Sequence, residues 1–175
     1  MTDKIDVLLS EETVNSRIRE LAAEIDRDYA GKELVFLITL KGSTVFGCEL
    51  AKRVTVPVYL EFIMAHSYQG TESSGTVQMT LDVDPAAIEG KHVLIIEDII
   101  DTGRTLTAVK KLMETRKPAS LKLCTLLDKP EGRVVDLKLD YVGFTIPNEF
   151  VVGFGLDVDQ RYRNLPFVGI YHPPE

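Results

Sequence analysis

The stretch VLIIEDIIDTGRT, residues 93–105, combines a strand, an acidic loop, a small-residue turn and the start of a helix. The run from Val93 to Ile96 is apolar and mostly β-branched, which is typical of a strand buried inside a parallel sheet. Three carboxylates follow this strand: Glu97, Asp98 and Asp101. Thr102 to Thr105 then opens a segment whose apolar residues have helical spacing, so the stretch predicts a strand–turn–helix unit.

The turn after the carboxylates has the composition of an anion-binding site. Thr102, Gly103, Arg104 and Thr105 would place backbone N–H groups and hydroxyls at a helix N-terminus, which suits a phosphate group. The neighbouring carboxylates cannot bind that phosphate directly, but they suit sugar hydroxyls, a divalent cation or a proton transfer. Together these groups predict a site for a phosphorylated ribose. The alternative interpretation is an ordinary βα connection with a solvated acidic loop.

A second strand–turn–helix unit lies earlier in the chain. Leu34 to Leu40 is a continuous apolar run, and Lys41-Gly42-Ser43-Thr44 follows it. This turn is a second candidate anion site, although a plain βα turn explains the same pattern. The other predicted elements are a helix over 10–30 capped by Ser10, and strands at 56–65, 77–81, 121–127, 150–154 and 167–171.

The composition indicates a globular protein with one core. The chain has 175 residues, of which 45% are hydrophobic and 27% charged, and a domain of this length can bury a sizeable core. The net charge of −7 argues against a general surface for nucleic acid or an anionic membrane. Cys48 and Cys124 lie in apolar surroundings, so we expect free thiols. The sequence contains no apolar leader or membrane-length run, and we therefore expect a cytoplasmic protein.

Residues 97–105, EDIIDTGRT, resemble the phosphoribosyl-pyrophosphate signature of type I phosphoribosyltransferases, in the form found in the hypoxanthine-guanine branch. The turn at 41–44 resembles the pyrophosphate loop of that family, in which the lysine follows a non-proline cis peptide bond, here Leu40–Lys41. The resemblance runs from about residue 34 to the C-terminus. Two positions depart from the common pattern: Arg104 stands where many relatives have lysine, and Phe154 where tyrosine is common.

The resemblance implies transfer of a 5-phosphoribosyl group from its pyrophosphate to N9 of hypoxanthine or guanine, with Mg²⁺ as cofactor. It places Asp101 at the purine N7 as general base or acid. The 5′-phosphate would be held by Thr102, Gly103, Arg104 and Thr105. The ribose hydroxyls would be held by Glu97 and Asp98, and the implied metal ligands are Glu97, Asp98 and Asp157.

Further roles follow from the same resemblance. Pyrophosphate would contact Lys41, Gly42 and Arg163. In the purine site, Lys129 would donate to the exocyclic oxygen of a 6-oxopurine, Phe150 would stack on the base, and Val151 would contact its edge through the backbone. The polar loop after the 56–65 strand corresponds to a mobile lid with a Ser-Tyr pair, here Ser67 and Tyr68.

We expect an α/β fold: a twisted, mostly parallel sheet with helices on both faces and ligands at the carboxyl ends of the strands. Residues 1–175 would form one type I phosphoribosyltransferase domain, with a core at about 10–140 and a small antiparallel hood mainly at 141–175. The family also implies a homodimer or homotetramer. Two alternatives stay open: an RNA-binding regulator of the same fold, which should carry a basic face and often lacks an acid at the Asp101 position, and an enzyme preferring xanthine.

Overall fold

The computed structural model describes residues 3–67 and 77–174, which form two sheets and three α-helices. The strands are β1 (Lys4–Leu9), β2 (Leu34–Thr39), β3 (Val58–Ser67), β4 (Val77–Leu81), β5 (His92–Ile100), β6 (Ser120–Asp128), β7 (Tyr141–Thr145), β8 (Val151–Val152) and β9 (Val168–His172). The helices are α1 (Glu11–Asp28), α2 (Ser43–Ala51) and α3 (Arg104–Thr115). Ser67 ends β3, whereas the other predicted lid residue, Tyr68, lies outside the described residues.

The main sheet has six strands in the order β4-β3-β2-β5-β6-β7. All neighbouring pairs are parallel except β3 and β4, which are antiparallel. The mostly parallel α/β sheet predicted from the sequence is therefore confirmed. Strand β5 lies between β2 and β6, so the turns after these three strands meet at one edge of the sheet.

The helices cover both faces of this sheet, which explains the continuous apolar runs of the central strands. In β5, Leu94 and Ile96 pack with α1 and α2, whereas Val93 and Ile95 pack with α3 on the opposite face. All four side chains are fully buried. A strand that buries both faces cannot alternate polar and apolar residues. No helix in the described part of the chain is both long and apolar enough to cross a membrane.

A second, antiparallel sheet of three strands, in the order β1-β9-β8, forms the hood. A small antiparallel hood was predicted and is present. However, the strands that form it are not simply those after residue 141, as the prediction had it. Strand β1 belongs to it although it comes from the N-terminus, and β7 belongs to the main sheet through its pairing with β6. Pairing between strands distant in sequence leaves little local signal, and the short β1 has an irregular burial pattern.

Strand β5 is longer than the apolar run predicted. It continues through Glu97 and Asp98 to Ile100, so these two carboxylates lie in a strand and not in a loop. The extension is held by pairing with β6, where Glu97 lies opposite Thr125 and Ile100 opposite Asp128. The prediction of an acidic loop starting at Glu97 was wrong for this reason, and the two acids have a more rigid support than a loop gives.

Candidate active site

A cavity of about 250 Å³ lies at the carboxyl ends of β2 and β5 and against the first turns of α3. Its lining includes five predicted site residues: Glu97, Asp101, Thr102, Gly103 and Thr105. Lys129, Phe150 and Val151 do not line it, and Arg163 lines a second cavity of about 390 Å³ beside α1 and α2. The cavity therefore brings together most of the predicted phosphate and ribose groups, although Asp98 and Arg104 are not among its lining residues.

The N-terminus of α3 depends on Gly103. This residue has φ of +79°, in the left-handed region that favours glycine. A Cβ placed on it would lie only 2.8 Å from Val135 Cγ2. Gly103, at the N-cap position, has no side chain to cap this helix end, and Thr102 Oγ1 accepts the backbone N–H of Arg104 only at a long 3.4 Å. Arg104 begins the helix with an exposed side chain. Backbone N–H groups at this end are therefore available to an anion.

Glu97 sits in a network of hydroxyl groups. Its Oε1 atom lies 2.8 Å from Thr39 Oγ1 and 3.0 Å from Ser43 Oγ. Ser43 Oγ in turn accepts the backbone N–H of Asp98 at 2.8 Å. Burial, together with the neighbouring charge of Asp98, raises the pKa of Glu97 well above its usual range. Ser43 lies in the turn predicted as a candidate anion site, but its contact with Glu97 was not predicted. Thr39 was not predicted as a site residue, although it is the one polar residue of the otherwise apolar β2.

Asp98 packs against the turn after β2. A Cβ on Gly42 would collide with Asp98 Oδ2, so this glycine allows the turn to approach the carboxylate. Asp98 Oδ1 accepts the backbone N–H of Ile99 at 2.7 Å, and burial raises the pKa of this carboxyl group. The Leu40–Lys41 peptide bond is cis, as the family resemblance predicts.

Lys41 and Arg163, the two predicted pyrophosphate cations, converge on one acceptor. Lys41 Nζ lies 3.4 Å and Arg163 Nη2 lies 3.2 Å from Oε1 of Gln160. Arg163 also pairs with Asp157 at 2.9 Å, and the other oxygen of Asp157 accepts the backbone N–H of Gln160 at 2.8 Å. An oxygen ligand can therefore face two cations here. Gln160 had no signal in the sequence that distinguished it from a loop residue.

The predicted purine groups lie at the end of β6 and in the hood. Lys129 is only 8% exposed, and none of the ion pairs between described residues involves it. Its backbone N–H donates to Ile100 O at 2.9 Å, which ties it to the residue before Asp101. Phe150 is 54% exposed and meets Tyr171 edge-on, with ring centroids 6.0 Å apart, whereas Val151 is buried in β8. A buried cation without a carboxylate partner suits a neutral acceptor on a ligand.

The carboxylates fit a magnesium ion that arrives with a phosphorylated substrate. Within 3–67 and 77–174, no three His, Cys, Asp or Glu side chains come together as a complete metal site. Mg²⁺ is commonly held by one or two carboxylates together with substrate phosphates and water. Glu97 and Asp98, adjacent on β5, can supply the protein's share of such a site.

Comparison with known proteins agrees with this geometry. The family model described as phosphoribosyl transferase domain matches residues 5–159, and the chain belongs to that family. A relative from Lactococcus lactis named hypoxanthine-guanine phosphoribosyltransferase is 52% identical over 168 residues, covering 95% of this chain and 91% of that protein. A relative of the same name from Streptococcus thermophilus is 48% identical over 165 residues, covering 94% and 91%.

Solved structures extend the likeness to the whole fold. The crystal structure of a hypoxanthine-guanine phosphoribosyltransferase from Bacillus anthracis matches with a TM-score of 0.92 and 46% identity, covering 98% of this chain and 100% of that one. A hypoxanthine phosphoribosyltransferase from Staphylococcus aureus matches with a TM-score of 0.91 and 47% identity, covering 96% and 91%. The resemblance inferred from residues 97–105 is confirmed, and with it the fold.

Proposed function

We propose that this chain is a purine-salvage enzyme that transfers the 5-phosphoribosyl group of phosphoribosyl pyrophosphate to N9 of hypoxanthine or guanine. The observation that carries the proposal is the N-terminus of α3, which has a glycine at its N-cap, beside the carboxylates of β5. This arrangement suits a sugar phosphate, and the names of the similar proteins indicate which one. In the reaction, the bond from C1′ to the pyrophosphate oxygen breaks, the bond from C1′ to N9 forms, and the base loses a proton.

The two ends of the sugar phosphate have separate binding groups. The 5′-phosphate binds the α3 N-terminus through Thr102, Gly103, Arg104 and Thr105, whose N–H groups and hydroxyls are supported by the helix dipole. The ribose hydroxyls bind Asp98 and Glu97, which the strand β5 and the hydroxyls of Thr39 and Ser43 hold in place. A rigid support for these carboxylates helps stabilise the positive charge that develops on the sugar.

The base is aligned from the other side. Asp101 faces N7 as general base or acid, and Lys129 donates to the exocyclic oxygen at C6. Phe150, which is exposed in the hood, stacks on the purine ring, and the backbone of Val151 contacts its edge. A lid that includes Ser67 and Tyr68 would exclude water from the reacting sugar.

The leaving pyrophosphate binds Lys41, Gly42 and Arg163. The side chains of Lys41 and Arg163 already face a shared oxygen of Gln160. Mg²⁺, held by Glu97, Asp98 and Asp157 together with the substrate, would neutralise charge on the leaving group and orient it. Asp157 already pairs with Arg163 through Oδ1 and accepts the N–H of Gln160 at Oδ2, so a metal there would share a carboxylate that a cation also contacts.

We also propose a homodimer or homotetramer in the cytoplasm. Large apolar side chains lie exposed on the β3–β4 edge of the main sheet, at Tyr59, Leu60 and Leu81, which supports contact with a second copy. The free thiols of Cys48 and Cys124 support a reducing compartment. Sedimentation of the purified chain tests the assembly, and a monomer at micromolar concentration would contradict it.

Pyrophosphate release tests the activity. The purified protein is incubated with phosphoribosyl pyrophosphate, Mg²⁺ and, separately, hypoxanthine, guanine, xanthine and adenine. We expect release with hypoxanthine and guanine and formation of the corresponding nucleotides. Faster pyrophosphate release with xanthine than with either hypoxanthine or guanine would support a xanthine-preferring enzyme. No release with any base would overturn the proposal.

A further inference from the structure

We propose that Arg133 is a positioning residue that holds Asp101 and Lys129 at the separation needed to align the purine for reaction. The inference rests on the proposed function, in which these two residues contact neighbouring atoms of the base. Arg133 is not among the residues predicted for the site. It lies in the segment after Lys129, defined here as the strap, residues 129–135.

Arg133 connects the ends of two neighbouring strands. Its Nε atom donates to the backbone oxygen of Asp101 at 3.0 Å, directly after β5. Its Nη2 atom pairs with the carboxylate of Asp128, the last residue of β6 and the neighbour of Lys129. Both side chains of this ion pair are only 16% exposed. One planar guanidinium group therefore joins the backbone of the proposed base to the residue that precedes the proposed purine donor.

The rest of the strap follows the same path across the acidic turn. The backbone N–H of Val134 donates to Thr102 O at 3.2 Å, and that of Lys129 donates to Ile100 O at 2.9 Å. A Cβ on Gly132 would collide with the Asp101 carboxylate, so this glycine lets the strap lie directly against it. The contacts of Arg133 belong to a continuous interface between the strap and residues 100–103.

The chemistry of the base makes this spacing important. N7 and the oxygen at C6 are fixed on one edge of a rigid purine, so the protein groups that contact them must keep a fixed separation. A displacement of about 1 Å at a reacting group can lower the rate by about 10²-fold. Charge-assisted hydrogen bonds from a planar guanidinium hold such a geometry better than a lysine, whose ammonium is a flexible point charge.

The control for this role is Arg116, an arginine of similar chemistry away from the site. Arg116 donates to Val83 O at 2.8 Å and pairs with Asp82, and its side chain is 10% exposed. It therefore makes one carbonyl contact and one carboxylate contact, as Arg133 does. Loss of either arginine should have a similar effect on stability, but only Arg133 lies between proposed purine contacts.

The test is steady-state kinetics of wild type, Arg133→Ala, Arg133→Lys and Arg116→Ala, with thermal melts of each. We expect Arg133→Ala to lower kcat/KM for hypoxanthine by about 10–10²-fold while KM for phosphoribosyl pyrophosphate stays close to wild type. Arg133→Lys should recover part of the loss, and Arg116→Ala should leave the kinetics unchanged.

Equal kinetics in Arg133→Ala and Arg116→Ala, or an equal rise in both KM values, would overturn the positioning role. If Arg133→Ala does not fold, Arg133→Lys takes its place in the comparison. A kcat/KM for hypoxanthine equal to wild type in Arg133→Lys would then overturn the positioning role. Failure of the proposed function is distinguishable, because wild type itself would then release no pyrophosphate.

Discussion

The N-termini of α1 and α3 are built in opposite ways. The first turn of α1 is complete within its own sequence: Ser10 accepts the backbone N–H of Thr13 at 3.2 Å, and Glu11 and Glu12 favour the helix dipole. The first turn of α3 begins after the left-handed Gly103 and carries no acid, and its contact with Thr102 Oγ1, which accepts the N–H of Arg104, is long at 3.4 Å.

The difference separates a structural helix end from a binding one. At α1 the side chain of Ser10 accepts a backbone N–H of the first turn, and this cap stabilises the folded protein. At α3 only the N–H of Arg104 has a side-chain acceptor among the described residues, and that contact is long at 3.4 Å, so the turn can still bind an anion. The carboxylates that could have compensated the dipole lie on β5, before the turn. Strand β5 and the hydroxyls of Thr39 and Ser43 hold those acids for a ligand. The α3 end should therefore respond to ligands, and the α1 end should not.

The largest effect is expected at Asp101, the acid before the α3 turn. Asp101→Asn should lower kcat by roughly 10²–10⁴-fold, because an amide cannot exchange the N7 proton. The KM for phosphoribosyl pyrophosphate should change little. Glu11→Gln makes the same replacement at α1 and should leave kcat unchanged. Near-normal turnover in the Asp101 variant would remove the acid–base role.

Lys129 should distinguish purines at the other end of the site. Lys129→Ala should lower kcat/KM for hypoxanthine and guanine. The loss should correspond to roughly 1.5–3 kcal/mol of transition-state stabilisation, the range for a hydrogen bond to a charged group. Phe150→Ala should weaken all purines alike, because stacking does not depend on the group at C6. Kinetics with hypoxanthine, guanine and adenine measure both effects. An unchanged preference in the Lys129 variant would reduce this residue to a buried charge without a role in base choice.

Gly103 and Gly31 separate backbone strain from function. Both have positive φ, +79° and +75°, so alanine at either position should cost about 1–2 kcal/mol of stability. A Cβ on Gly31 meets nothing within 4 Å, whereas one on Gly103 meets Val135 at the helix end. Gly103→Ala should therefore also weaken nucleotide binding, and Gly31→Ala should not. Calorimetric titration with IMP compares them, and equal affinities would contradict a role for this turn in binding.

The smallest effect is expected at the capped helix end. Ser10→Ala removes the side-chain acceptor for the N–H of Thr13 and should lower stability by about 1 kcal/mol. Because α1 lies away from the α3 turn, kcat and both KM values should stay at wild-type levels. Urea denaturation measures the first effect and steady-state assays the second. A change in the kinetics would show that the two helix ends are not independent.

The same contrast explains which parts of the molecule could be predicted. The apolar runs of β2 and β5 and the cap of α1 are local patterns, and all three were predicted from the sequence. Strand β1 depends on pairing with β9, more than 150 residues later, so its short mixed sequence gave no signal. The extension of β5 through Glu97 and Asp98 likewise depends on β6.

The candidate site divides in the same way. Asp101 and the α3 turn lie within one continuous motif, and the structure places them on one cavity. The supporting contacts of Ser43, Arg133 and Gln160 join segments that meet only when the sheet is assembled. No single segment of sequence contains both partners of any of these contacts. Ser43 stood in a predicted anion turn, but its contact with Glu97, like the roles of Arg133 and Gln160, could be identified only from the structure.

The most direct test of the central claim, that the α3 N-terminus binds the 5′-phosphate, is the affinity of IMP relative to inosine. The two ligands differ only in the phosphate, so their ratio of dissociation constants in wild type isolates its contribution. We expect IMP to bind at least about tenfold more tightly, since one charge-assisted hydrogen bond contributes roughly 1.5–3 kcal/mol. The ratio should fall in Gly103→Ala and remain unchanged in Gly31→Ala. Equal affinities for IMP and inosine in wild type would contradict the account.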